Sequence, residues 1–174
     1  MDRNGFNTKK LKMKQINFTT RLTTGLFLLM LLFSHTAESQ SKSDLVIYGS
    51  PEEMVAAAKK VITEISVEDF KKIYRSDDIF IIDVRTSAEY EAGAVPGAVN
   101  ISRGVLEFKI GEEDTWEAAG KIPPKKSDPV VVYCSTGGRG ALSAKALMQL
   151  GYKNVESLQG GWNAWNETYP DIKE

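Results

Sequence analysis

Cys134, the only cysteine of the 174 residues, opens the run Cys134-Ser135-Thr136-Gly137-Gly138-Arg139-Gly140. The run Val130-Val131-Val132-Tyr133 before it predicts a buried parallel strand. After it, Ala141, Leu142, Ala144, Leu147, Met148 and Leu150 are spaced as one apolar helix face. A cysteine between a strand end and a helix start meets several backbone N–H groups that have no intrahelical partner. Those donors and the positive end of the helix dipole favour the thiolate, which is the nucleophilic form. Gly137 and Gly138 let the backbone curl around whatever the sulfur carries, because glycine reaches positive φ cheaply. Arg139 adds a permanent charge that can orient an anionic donor or brace the loop. Ser135 and Thr136 are small neutral residues that leave the loop uncrowded, and Gly140 continues the turn into the helix. A lone cysteine by itself reads as a small buried apolar residue. The strand, glycine turn, arginine and helix around this one argue for chemistry.

The elements that must position this loop alternate along the chain. Ser50-Pro51-Glu52-Glu53 has a capping serine, a first-position proline and acids, predicting a helix in an N-terminal extension over 40–60. Met54, Val55, Ala58, Val61 and Ile62 form its apolar face, which reads as cover for the sheet. A strand is predicted over 62–65. Ser66-Val67-Glu68-Asp69 then resembles a capping box leading a helix through Tyr74. The β-branched run 79–84 predicts a strand covered on both faces. A short helix over 87–91, a strand over 98–101 and a helix over 105–109 follow. Residues 111–129 carry acids, Trp116, paired prolines and lysines, and read as a loop. Strands over 130–133 and 155–158 and a last helix around Trp162 and Trp165 complete the domain, 61–174. The two tryptophans read as packing residues. Alternating β and α elements predict an α/β fold, a parallel sheet with helices on both faces.

Residues 1–39 read as a signal peptide: a basic stretch (Lys9, Lys10, Lys12, Lys14, Arg21), an apolar run over 25–33 and a cleavage pattern at Ala37-Glu38-Ser39. The apolar run is short for a spanning helix, so an uncleaved membrane anchor is the weaker alternative. Cleavage would remove six of the 22 basic and two of the 23 acidic residues, leaving 16 and 21 and a net charge of −5. Such a surface argues against nucleic acid or anionic lipid as partner. An exported chain, in a bacterial periplasm for example, with one cysteine closes no internal disulfide. Its thiol must survive oxidation or be kept reduced by another protein. The only histidine, His35, leaves with the signal segment. That excludes a Cys-His pair and a histidine metal site from the processed protein.

Several motifs converge on one family. Asp83-Val84-Arg85, Glu89-Tyr90, Gly93-Ala94-Val95-Pro96-Gly97-Ala98 and Asn100-Ile101 resemble, in order and spacing, the first signature of the rhodaneses. The Cys134–Arg139 loop, Leu150-Gly151-Tyr152, Asn154-Val155, and Leu158 with Gly160-Gly161-Trp162 resemble the rest. The likeness covers about residues 61–170 and is similar to the exported phage-shock type. It implies a five-stranded, mostly parallel sheet and sulfurtransferase chemistry through a cysteine persulfide, with no metal or organic cofactor. Ala94 stands where the family commonly has histidine, which is expected to alter local packing but not the reaction.

The implied partners are a small anionic sulfur donor such as thiosulfate, a thiol acceptor, and a protein persulfide partner or thiol reductant. Backbone N–H groups of 135–139 would stabilise the charge on the terminal sulfur. Asp83, Arg85 and Glu89 read as an ion-pair network that fixes the loop after the strand, not as catalysts. Three rival readings remain. A cysteine phosphatase needs five residues between cysteine and arginine, and here there are four. A thiol–disulfide oxidoreductase would lack its resolving cysteine. A non-catalytic binding module of the same fold would usually have lost the cysteine.

Overall fold

The computed structural model describes residues 45–173; the predicted signal segment, 1–39, lies outside them. Contacts divide the chain after Ile47, and the helices and strands described lie in the unit from Tyr48 onward. Its elements are α1 (Pro51–Lys59), β1 (Thr63–Ile65), α2 (Val67–Ile73), β2 (Phe80–Asp83), α3 (Ser87–Glu91) and β3 (Ala98–Asn100). After them come α4 (Leu106–Lys109), α5 (Glu113–Glu117), β4 (Pro129–Tyr133), α6 (Gly138–Gln149), β5 (Asn154–Leu158) and α7 (Gly161–Thr168). The five strands form one sheet in the order β1-β5-β4-β2-β3, and every pairing is parallel. Asp83 is level with both Tyr133 and Asn100. The loops after β2, β3 and β4 therefore open side by side at the carboxyl end of the sheet.

Alternate residues of the central strands feed two cores. On one face Ile82, Val130, Val132, Cys134 and Val155 pack with Ala144 and Leu147 of α6, Leu106 of α4 and Trp116 of α5. On the other, Ile81, Val131, Tyr133 and Leu158 pack with Phe70 of α2 and Trp165 of α7. The tryptophan Trp165 is wholly buried, and its ring meets those of Phe70, Tyr74 and Tyr169 edge-on. Helix starts follow the capping residues: Ser50 accepts from the Glu53 N–H, Ser66 from the Asp69 N–H, and Thr86 forms a reciprocal capping box with Glu89.

Two expectations are corrected. Residues 111–129 are not all loop: α5 lies within them, and Trp116 is fully buried against Phe80, with rings 5.2 Å apart at 86°. Its indole N–H donates to the Ile110 carbonyl at 2.9 Å. One tertiary anchor organises a helix too short to show periodicity. Helix α1 ends at Lys59, so Val61 falls beyond it and is exposed, as is Met54. It packs mainly on α6, where Val55 Cγ2 lies 3.6 Å from where a Cβ on Gly138 would stand, and it meets the sheet through Lys59, 2.8 Å from Glu64 of β1.

Candidate active site

Cys134 follows directly on β4, the strand in the sheet's centre, and is 1 % exposed. Gly137, at φ +92°, turns the chain so that its N–H points back at the sulfur, 3.2 Å from Sγ. A side chain at that φ would be strained, which accounts for the glycine. The carbonyls of the loop face away from the sulfur. Cys134 O accepts from the Trp162 N–H at 2.7 Å, and Ser135 O from the Asn163 N–H at 3.0 Å. Those two donors are among the first N–H groups of α7, which need acceptors outside their own helix. With these carbonyls taken, the N–H groups of Ser135, Thr136, Gly138, Arg139 and Gly140 have no acceptor among the described residues. They leave unpaired donors at the start of α6, a place suited to a negatively charged sulfur or oxygen.

Close packing of α7 on the loop depends on Gly161. A Cβ there would stand 2.1 Å from the Cys134 carbonyl oxygen and 3.0 Å from the Gly137 nitrogen. Gly140 serves the other flank, because its Cα faces Ser157 Oγ and the Tyr133 backbone.

The side chain of Arg139 is not an isolated cation beside these donors. Its Nη2 donates to Glu89 Oε1 at 2.7 Å and to Ser135 Oγ at 2.9 Å, and its Nη1 donates to Glu89 Oε2 at 3.1 Å. Ser135 Oγ in turn donates to Glu89 Oε1 at 2.7 Å, and the Thr86 N–H donates to Oε2 at 3.0 Å. The Arg139 guanidinium, then the Ser135 hydroxyl and the Thr86 N–H, hold the Glu89 carboxyl well below the usual carboxylate range. Hydrogen bonding to Glu89 raises Arg139 above its ordinary value against the opposing pull of burial.

Asp83 and Arg85 form a separate pair, buried at 0 % and 3 % exposure, with Arg85 Nη2 2.6 Å from Asp83 Oδ2. Burial pulls the Arg85 value down, but the hydrogen bonds and charge of Asp83 outweigh it and leave it raised. Nη2 of Arg85 also donates to Gly93 O at 2.7 Å, and the guanidinium lies 4.9 Å from the Trp162 ring. Asn100 Nδ2 donates to the carbonyls of Asp83 and Arg85, and Ser102 Oγ to that of Arg85. Burial above all pushes the Tyr133 hydroxyl up; as a neutral group it accepts from the Val95 N–H at 3.1 Å. Arg85 thus ties the turn at Gly93 to Trp162, and through α7 to the cysteine loop.

The family model for rhodanese-like domains matches residues 66–168, more than half of the chain. The chain belongs to the rhodanese family. A Schizosaccharomyces pombe protein named as a candidate mitochondrial thiosulfate sulfurtransferase is 32% identical over 116 residues, 62% of this chain and 82% of that protein. Among solved structures, the human single-domain sulfurtransferase TSTD1 is 28% identical at a TM-score of 0.55, covering 60% of this chain and 95% of that one. A Rhodopseudomonas palustris protein of unknown function, described as a candidate tyrosine phosphatase, is 29% identical at a TM-score of 0.58. That match covers 71% of this chain and 94% of the other. The family, the Schizosaccharomyces pombe relative and TSTD1 support sulfurtransferase activity in general terms.

Within this rhodanese domain the predicted residues fall into two groups. Cys134, Ser135, Gly137, Gly138, Arg139 and Gly140 meet around one loop; Thr136 is its exposed tip. Asp83, Arg85 and Glu89 do not form one network as expected. Glu89, on the next helix, turns to Arg139, while Asp83 and Arg85 pair with each other. Ala94 is buried between two backbone groups that are already held, Gly93 O and Val95 N. The sequence reading gave Gly161 and Trp162 only within the family resemblance and missed that the Trp162 and Asn163 N–H groups hold the loop's carbonyls, with Gly161 allowing the approach; the signal available was the paired glycines before a helix. A cavity of about 500 Å³ beside edge strand β3, bordered by Tyr90, Asn100 and Lys121, includes no residue of the cysteine loop.

Proposed function

We propose that this rhodanese domain moves sulfane sulfur from a small donor, thiosulfate or a persulfide, to a thiol through a persulfide on Cys134. The supporting observation is the Gly137 N–H on Sγ at 3.2 Å, at a helix start whose neighbouring N–H groups have no acceptor among the described residues while the Cys134 and Ser135 carbonyls are bound by α7. In the first half-reaction the Cys134 thiolate attacks the outer sulfur of thiosulfate. The Sγ–S bond forms, the donor's S–S bond breaks, and its electron pair leaves on sulfite. The negative charge now rests on the outer sulfur of Cys134, where the loop's N–H donors stabilise it. In the second half-reaction a thiolate, or cyanide in an assay, attacks that outer sulfur and Cys134 leaves as thiolate. Neither step requires a proton from a histidine or a bound metal.

Ser135, Gly137, Gly138 and Gly140 shape the cradle in this reading, and Arg139 braces it through Glu89 and Ser135. The acceptor in the cell is a small thiol or a protein thiol that carries sulfur onward. An exported setting, expected from residues 1–39, is part of the same proposal, and a partner that keeps the thiol reduced follows from it.

The test is the intact mass of the protein before and after thiosulfate, with cyanide added last. A gain of one sulfur on Cys134, removed by cyanide and abolished in a folded Cys134→Ser variant, is expected. Hydrolysis of a phosphomonoester without any sulfur gain would overturn the proposal in favour of the phosphatase reading.

A further inference from the structure

Helix α4 is pinned by Leu106 and Ile110, which are buried in the core that also takes in Cys134. Val105 at its start and Phe108 within it, three residues apart, are 45% and 77% exposed. Neither is needed to hold the helix down. A single exposed apolar residue is ordinary, but a phenylalanine beside a valine makes a patch. The patch stands at the carboxyl end of the sheet. The carbonyl of Tyr133, the residue before Cys134, accepts from the Val84 N–H at 2.9 Å, and that of Val84 accepts from the Arg103 N–H at 3.1 Å. Two backbone bonds thus link the cysteine's neighbour to the residue two places ahead of Val105. Helix α4 also packs on α6, whose first turn carries the cysteine loop. From the side of β1, Val55 of α1 lies beside Gly138 of that loop, and the adjoining Met54 is exposed.

Charge frames both apolar places. Over 103–117 the chain has Glu107, Glu112, Glu113, Asp114 and Glu117 against Arg103 and Lys109, a net charge of −3. The two cations are already paired, Arg103 with Glu107 and Lys109 with Glu112. On α1, the exposed Glu52 and Glu53 precede Met54. Cys134 itself is almost wholly buried, so a bulky acceptor reaches a sulfur carried there only when its own surface seats on this rim. Apolar places edged by acids fit a partner with an apolar patch among lysines or arginines.

We infer that the rim formed by Val105, Phe108 and Met54 docks the sulfur acceptor, and that this acceptor is a protein thiol set among apolar and basic residues. This rests on the proposed persulfide chemistry and names its second partner. The acceptor's thiolate attacks the outer sulfur of the Cys134 persulfide. A new S–S bond forms, the Sγ–S bond breaks with its electron pair on Sγ, and the acceptor departs as a persulfide. No oxidant, reductant or proton enters. Phe108 touches no reacting atom; it holds the acceptor and leaves small molecules unaffected.

The experiment loads the full chain from thiosulfate or a small persulfide and follows, by intact mass, its discharge to synthetic thiol peptides, with rates expressed per thiolate. One peptide has leucines beside its cysteine and lysines at its ends; a second has glutamates for the lysines, and a third has serines for the leucines. The first should discharge the persulfide about tenfold faster than the other two at low salt, its lead over the acidic peptide closing as salt screens the charges. Phe108→Ser should slow discharge to the first peptide about tenfold, the effect of removing one aromatic anchor. Loading and discharge to cyanide should stay as in the native chain. Equal rates for the three peptides, or undiminished discharge to the first peptide in Phe108→Ser, would overturn the inference and leave sulfur transfer intact. So would a dimer in sedimentation that Phe108→Ser dissociates, since a second copy would then cover the patch. The three peptides on the native chain decide the matter even where the variant does not fold. A chain that takes sulfur from neither donor, with the thiol shown to be free, would overturn the proposed function and this inference with it.

Discussion

Gly161→Ala isolates the contact on which the loop's geometry depends. The new Cβ would stand 2.1 Å from the Cys134 carbonyl oxygen, so α7 and the loop must part by roughly 1 Å before the contact becomes tolerable. The backbone at φ +60° adds strain of about 1–2 kcal/mol for a residue with a Cβ. Separation also weakens the bonds from the Trp162 and Asn163 N–H groups to the loop carbonyls, each contributing about 0.5–1.5 kcal/mol. The sum is about 2–5 kcal/mol of lost stability. Sulfur loading should suffer more than stability, because misplacing a reacting group by about 1 Å can lower a rate on the order of 100-fold. Urea unfolding and the loading rate from a single donor, measured on the same preparation, give both quantities. Gly97→Ala is the control: its φ is also positive, at +78°, but its Cβ would meet nothing within 4 Å. That substitution should lose only the strain of about 1–2 kcal/mol and keep its loading rate. Native-like stability and loading in Gly161→Ala would refute the idea that α7 holds the loop's carbonyls away from the sulfur.

Two further outcomes follow from the ion pairs. Arg85→Ala strands the fully buried Asp83 carboxylate and frees the Gly93 carbonyl, and should destabilise the domain by about 3–5 kcal/mol in urea unfolding; a loss below about 1 kcal/mol would show that the pair is not structurally important. Glu89 has a folded value held below its ordinary 4.5, so its contribution to stability is present above that pH and is lost as pH falls through the folded value. The melting temperatures of the native chain and Glu89→Gln should therefore differ most near neutrality and converge below about pH 4. A gap that stays constant across the acid range would mean that Glu89 contributes nothing through its charge.

Much of this arrangement is legible in the chain before it folds. The runs Ile79–Val84 and Val130–Tyr133 have no polar alternation, which announces strands covered on both sides, and both lie inside the sheet. Ser66 and Ser50 announce helix starts through bonds that span three residues, so local order alone suffices. Helix α5 carries no such local signal, since Glu113-Asp114-Thr115-Trp116-Glu117 has one apolar residue and no side-chain cap. Only the burial of Trp116 against Phe80, far away in sequence, makes it helical.

The site divides in the same way. Cysteine, glycines and arginine at fixed spacing determine that a nucleophile sits at a helix start, because strand, turn and helix are all encoded within twenty residues. Which carboxylate meets which arginine was decided only by the tertiary structure. Asp83 and Glu89 are six residues apart, yet one points into the core beside Arg85 and the other across the loop to Arg139, 50 residues on. Likewise, no local rule directs the N–H groups of α7 to the carbonyls of Cys134 and Ser135. That contact requires β4 and β5 to pair, bringing the ends of two strands and the starts of two helices to one place. Backbone donors and charges act over a few ångströms, so their partners are set by what the sheet brings near, not by what lies next in the chain.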